Sequence, residues 1–279
     1  MANYTAADIK ALRESTGAGM LDVKNALVEA DGDTEKATEI IRVKGLKGIA
    51  KREGRAASDG LIAIDVSPGG AGEIGTMVEV NSETDFVSKN EKFVALADAV
   101  LQAAVASGAT DVETLLAAPS GDGTVKDAVE NLAATIGEKI EVRRVERLEG
   151  EKVASYLHRT AKDLPPQVGV LVATDAAGAE AAHDVALHVA AYSPAYLTRE
   201  DVPAETVENE RRVAEETSRA EGKPEQALPK IIEGRMNGFY KENVLVDQAF
   251  AKDPKQTVAQ VVGASGGTVT GFARFRVGA

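Results

Sequence analysis

Apolar residues recur at helical spacing near the start of the chain and switch to alternation after residue 60. Thr5-Ala6-Ala7-Asp8 has the form of a capping box and predicts a helix through residue 15, ended by Gly17-Ala18-Gly19. A second helix is predicted from about 20 to 29, with Leu21, Ala26 and Leu27 as its apolar face. Asp31-Gly32-Asp33 reads as a turn. A third helix carries Ala37, Ile40 and Ile41 and is expected to stop near Gly45. The basic stretch Lys47-Gly48-Ile49-Ala50-Lys51-Arg52-Glu53-Gly54-Arg55 reads as a linker with some helix at its start. A three-helix bundle of this size buries little apolar surface and is marginal alone.

From Gly60 the period becomes two. Leu61, Ala63 and Asp65 alternate with Ile62, Ile64 and Val66, then Ser67-Pro68-Gly69-Gly70-Ala71-Gly72 turns the chain and a second strand follows over residues 73–80. Residues 81–87 form a polar loop, and Ser88-Lys89-Asn90-Glu91 has capping-box form. The next helix puts Phe93, Val94, Ala97, Val100, Leu101, Ala104 and Val105 on one face. A shorter helix over residues 124–135 leads into a strand over 140–148.

The order then recurs. Strands are predicted over 153–158 and 167–174, helices over 180–191 and 257–262, and a closing strand over 268–277. Thr124-Val125 matches Thr257-Val258, and the run Gly75–Val80 matches 169–174, as expected of an internal repeat. Within the second copy, Pro203 opens a charged helix to about residue 221, Gly222-Lys223-Pro224 turns, and Leu228, Ile231, Ile232 and Phe239 mark a returning helix. Its partner offers only Val207 and Ala214, a thin seam that suits an antiparallel hairpin projecting from the body. The expected fold is α+β: an N-terminal three-helix, UBA-like module with its linker (1–55), a first core half (56–150), a second half (151–202 and 243–279), and the inserted hairpin (203–242). Each core half carries a three-stranded antiparallel sheet backed by helices.

Composition narrows the function. The chain has 279 residues, 44 acids against 32 bases and a net charge of −12. Nucleic-acid binding leans on Lys and Arg at phosphates and on aromatic stacking, and this chain has only 4% aromatics and no Trp. With no cysteine, disulfides, thiolate zinc sites and cysteine nucleophiles are excluded. There is no run of about 18 apolar residues and no signal-peptide pattern at the first residues, which fits a cytoplasmic protein with no membrane partner. No nucleophile elbow, P-loop or HExxH motif occurs. His183 and His188 stand five apart, roughly 140° around a helix, so they do not form a metal pair. Neither a catalytic constellation nor a cofactor site is expected, and a protein partner is.

The candidate site is Thr84-Asp85-Phe86-Val87, between a strand and a helix start. Loops on a rigid scaffold concentrate binding residues. On spacing alone the simpler account is that Phe86 tucks under the helix while Asp85 caps it.

Four stretches together resemble bacterial elongation factor Ts: Leu12-Arg13-Glu14-Ser15-Thr16-Gly17-Ala18-Gly19-Met20-Leu21-Asp22-Val23-Lys24; Glu79-Val80-Asn81-Ser82-Glu83-Thr84-Asp85-Phe86-Val87; His188-Val189-Ala190-Ala191 with Pro194; and Glu233-Gly234-Arg235-Met236 with Phe239. Each is weak alone; in series they span the chain. The resemblance implies a guanine-nucleotide exchange factor for elongation factor Tu. It implies that Asp85 and Phe86, flanked by Thr84 and Val87, wedge against the partner near its Mg²⁺ site. Ile136, Gly137 and His158 would line the same contact, and Met20 and Lys24 would belong to a contact of the N-terminal module. The family includes loosely and tightly paired forms, so a homodimer and a two-to-two complex both stay open. Ser82 stands where cysteine is common, and the sequence ends at Val277-Gly278-Ala279 where some members continue into a further module. The competing account is a non-exchanging interaction scaffold.

Overall fold

A computed structural model describes residues 3–279, apart from the side chains at 46, 47 and 49–51. Helix α1 (Ala6–Thr16) opens on the Thr5/Asp8 capping box and ends at Gly17, whose φ of 77° is the left-handed conformation that glycine adopts without penalty. Helix α2 (Met20–Glu29) buries Val23, Ala26 and Leu27. Leu21 was expected on that face but is 69% exposed, because the packed stripe runs through Val23.

Helix α3 (Thr34–Arg52) does not stop at Gly45. The stretch expected to be a linker is helical as far as Arg52. Gly45 serves close approach rather than termination: a Cβ there would overlap the carbonyl oxygen of Ala134. Arg52 locks the same junction, donating to Ala133 O at 3.0 Å and Gly45 O at 3.2 Å.

Strands β1 (Asp59–Gly69) and β2 (Gly72–Ser82) form a hairpin closed by Gly70-Ala71 alone, tighter than the predicted six-residue turn. Helical turn α4 (Asp85–Ser88) follows, then α5 (Glu91–Ser107). The cap of α5 is Asn90, which accepts from Lys92 N at 2.9 Å, and not a box at Ser88. Ser88 is buried and bonds back to Asp85 O. Next come α6 (Val112–Ala117), which the sequence pattern missed, the short pair β3 (Pro119–Ser120) and β4 (Gly123–Thr124), α7 (Val125–Ile136) and β5 (Ile140–Gly150).

The second half holds β6 (Lys152–His158), β7 (Val168–Thr174), α8 (Ala179–Tyr192), α9 (Ala204–Ala220), α10 (Leu228–Asn243), β8 (Ala249–Phe250), β9 (Asp253–Thr257), α11 (Val258–Gly263) and β10 (Val269–Arg276). The two three-stranded antiparallel sheets run β1-β2-β5 and β6-β7-β10, the same order for corresponding strands. Separate helices on antiparallel sheets make the fold α+β.

Alternation decides what each sheet face meets. Leu61, Ala63, Val78 and Val80 face α5 and α7 around the fully buried Phe93, worth about 1.5–3 kcal/mol by burial. Val170 and Val172 face α8. The remaining faces pack on each other through Ile62, Met77, Val153, Leu171, Ala173 and Phe275. Two glycines in that seam exchange space: Gly75 lies under Leu171, and Gly169 lies under Met77 and Ile62. In the same seam Glu79 is fully buried, pairs with Arg144 Nε at 2.7 Å and accepts from Gly278 N at 3.2 Å.

Candidate functional site

The turn after β2 is held from three sides. Ser82 Oγ donates to Thr84 O at 3.0 Å, inside the turn. Across the fold, Glu138 accepts from Thr84 N at 3.1 Å and from Thr84 Oγ at 2.8 Å. Reciprocally, Glu83 accepts from Lys139 N at 2.6 Å and pairs with Arg55 at 3.2 Å. Neighbouring residues of one loop thus grip neighbouring residues of the other. Burial and the charge of Glu83 push the Glu138 carboxyl above the usual carboxylate range, partly opposed by the Thr84 bonds.

The third side is ionic. Lys89 Nζ lies 2.8 Å from Asp85 Oδ2 and 2.8 Å from Asp163 Oδ2, on the loop after β6. Asp163 first and Asp85 second push the Lys89 ammonium up to about 12. Asp85 therefore does not cap α5; it sits in the first turn of α4, with its carboxylate on Lys89.

Within this frame Val87 is buried in the core beside Phe93, while Phe86 is 82% exposed. The expectation that Phe86 tucks under the helix is overturned. A helical turn of four residues gives neighbouring side chains different directions, and Val87 has taken the inward one. An exposed phenylalanine on so constrained a backbone presents its ring from a main chain with little conformational freedom left to lose.

Ile136 and Gly137 close α7 beside this turn. Gly137 takes φ of 89° as the C-cap, and its successor is Glu138. Ile136 is buried, against the Gly17 corner of the N-terminal helices. Lys92 Nζ donates to Ser15 O, adding a second tie between that corner and the start of α5. Met20, three residues past Gly17, is 60% exposed and shares one face of α2 with Leu21, Lys24 and Val28, all exposed.

His158 stands apart. It is exposed at the end of β6, with Nδ1 3.1 Å from Tyr156 OH, on the face where Tyr156 meets His183. Among the described residues its ring bonds to Tyr156 and not to Asp85 or Phe86; the link from its loop to the turn is Asp163 to Lys89. His188 is buried, and both ring nitrogens are engaged. Nδ1 accepts from Ala251 N at 3.1 Å, so Nε2 carries the proton donated to Gln248 Oε1 at 2.8 Å. Burial holds its pKa below the ordinary histidine value.

Sequence reasoning missed Glu83, Lys89, Glu138 and Asp163. Glu138 was within reach as the residue after a helix-ending glycine. The Lys89–Asp163 contact spans the two halves and has no local signal. Among the described residues no group of three His, Asp or Glu is placed to hold a metal, and no helix is long and apolar enough to cross a membrane.

A family model described as Elongation factor TS matches residues 83–279, a span that opens at Glu83 and contains the whole gripped turn. The chain is 70% identical to elongation factor Ts of Beutenbergia cavernae, 68% to that of Micrococcus luteus and 63% to that of an Arthrobacter species, each over the full length of both chains.

Proposed function

Because the chain belongs to the elongation factor Ts family, we propose that it is the guanine-nucleotide exchange factor for elongation factor Tu. It binds the GDP form and promotes release of GDP and Mg²⁺, so that GTP can bind during translation elongation. It works by binding and needs no chemistry or cofactor of its own. The observation that carries this reading is the exposed Phe86 ring on a turn gripped through Thr84, Glu83 and Lys89.

The mechanism is linkage. Bound nucleotide and Mg²⁺ hold the switch regions of a GTPase in place. A partner that prefers the nucleotide-free form weakens nucleotide binding by the same factor, since coupling is reciprocal. Burying one phenylalanine contributes about 1.5–3 kcal/mol, roughly one to two decades at 1.4 kcal/mol per decade. Phe86 with Asp85 therefore directs where the strain falls, and a wider contact supplies the rest. Gly137 extends the wedge surface, and Ile136, buried against the Gly17 corner, supports it from beneath. The α2 face of Met20, Leu21, Lys24 and Val28 offers a separate contact from the N-terminal module. His158 belongs to this contact through its loop rather than through its ring. The division into module (1–55), two core halves and hairpin (203–242) is the framework for these roles.

The test is release of fluorescently labelled GDP from elongation factor Tu with the chain at sub-stoichiometric amounts. Catalytic acceleration supports exchange; binding without acceleration leaves only a scaffold.

A further inference from the structure

Strand β10 is the outer strand of its sheet and lines a groove opposite residues 193–197, with a volume of about 510 Å³. Its floor includes Phe272 and Arg274; its other wall includes Pro194 and Tyr196. Arg274 is the anomaly there. Its guanidinium has five N–H donors and a permanent charge. Nε–H is buried without a partner, and one Nη reaches Ala190 O at 3.5 Å, the outer limit for such a bond. The charged groups acting on it are two further cations, Arg276 and Arg144, and Arg144 is already committed to Glu79. Asp201 also lines the groove, with its Oδ2 held by Thr198 N at 2.8 Å and Thr198 Oγ at 2.9 Å, and it makes no ion pair with Arg274. Among the described residues Arg274 forms no ion pair.

A half-buried, unpaired charge is costly unless something pairs with it. Burial and the two cations hold the Arg274 pKa below the usual arginine range, in keeping with that cost. In a chain of net charge −12, an uncompensated cation at a strand edge is a local reversal of sign. An edge strand accepts an extended segment along its free backbone, and a guanidinium fork receives a carboxylate by two parallel bonds.

We propose that the groove between β10 and residues 193–197 docks an extended, acid-bearing segment of the protein partner, whose carboxylate pairs with Arg274. The proposal rests on the reading that the partner is elongation factor Tu. It makes Arg274 a residue kept for binding at the expense of the free protein's stability.

The test compares wild type, Arg274→Met and Arg274→Lys in the full chain, by thermal unfolding, by binding to GDP-loaded elongation factor Tu at two salt concentrations, and by sedimentation. Arg274→Met is expected to raise Tm, to weaken binding at least tenfold and to flatten its salt dependence. Exchange should slow with it, since contacts outside the Phe86 turn supply part of the differential binding. Arg274→Lys, a point charge without the fork, should recover only part of the affinity. Binding of Arg274→Met within twofold of wild type, a fall in its Tm, or an effect on self-association in place of partner binding would each overturn the groove while leaving the exchange reading intact. A wild type that binds without speeding GDP release would instead remove the exchange reading.

Discussion

Glu138 accepts two hydrogen bonds from Thr84, one from its backbone N–H at 3.1 Å and one from its hydroxyl at 2.8 Å, across 54 positions of sequence. The price of this grip is a carboxylate part-buried beside Glu83, with its pKa raised above the ordinary 4.5. A raised carboxyl pKa means that the folded state takes up its proton at higher pH than the unfolded chain does. The penalty is therefore full above the raised value and disappears as pH falls through it toward 4.5. Glu138→Gln keeps an acceptor for Thr84 N–H, can donate to Thr84 Oγ, and carries no charge. Its Tm is expected to match or exceed wild type at pH 7, with the difference closing as pH drops. Glu138→Ala loses both bonds and should cost about 1–3 kcal/mol. A pH series of thermal melts checks both; a difference that widens on acidification would refute the assignment.

Phe86→Ala removes a side chain that supports nothing in the free protein. Its stability should stay within about 0.5 kcal/mol of wild type, as for a surface substitution. GDP release from elongation factor Tu should slow by roughly 10- to 100-fold if the ring is buried in the complex. Asp85→Ala also breaks the contact to Lys89, yet Lys89 keeps Asp163, so unfolding should again change little while exchange falls. Unaltered exchange in both variants would remove the wedge.

What was legible in the chain follows from the range of each interaction. Local signals were sufficient for α1, whose cap and stop lie within its own sequence, and for the strand alternation that repeats across the halves. They failed where a residue serves a distant neighbour. Gly45 has the local look of a helix stop but makes room for the Ala134 carbonyl. Leu21 fits a helical stripe, yet the stripe that packs runs through Val23. Phe86 reads as a core residue beside a cap, but the inward position went to Val87. At the candidate site the wedge residues were legible through resemblance. The carboxylates that grip them were not, because Glu138 and Asp163 act across the fold.

Gly169 carries a prediction that only packing could suggest. An added Cβ would stand 2.5 Å from Ile62 Cγ2 and 2.9 Å from Met77 Sδ, across the seam between the sheets. Gly169→Ala should destabilise by about 1–3 kcal/mol through overpacking. Combined with Met77→Ala, the two costs should be less than additive by about 0.5 kcal/mol or more, since the smaller residue vacates part of the space. Strict additivity in denaturant melts would show that the two residues do not share it.

The helical hairpin should be separable from the core. Ala214, Leu228, Ile232 and Met236 form their own buried cluster between α9 and α10, with Val207, Phe239 and Tyr240 packed against it. The neighbouring cluster under α8 is completed instead by Leu245, Phe250, Val258 and Val262. At the hairpin's base, Asn243 O accepts from Ala195 N at 2.9 Å and Tyr196 N at 3.1 Å, and Leu245 N donates to Tyr196 O at 2.8 Å. Deleting residues 205–240 and closing the gap with a short glycine linker leaves those bonds in place. It sacrifices the stacking of Arg199 over Tyr240, the Arg199–Asn237 bond, and the Phe239 and Tyr240 carbonyls that accept from Asn243 Nδ2 at 2.9 Å and Val244 N at 2.8 Å; the linker's last glycines stand at those positions and offer carbonyls in their place, and Arg199 keeps Asp247. Exposed contacts of that kind contribute about 0–1 kcal/mol, and closing a loop of this length adds little beyond it. The shortened chain should therefore melt cooperatively within a few degrees of wild type by circular dichroism, with helical signal reduced in proportion to the residues removed. Loss of the cooperative transition would show that the hairpin is part of the core's own fold.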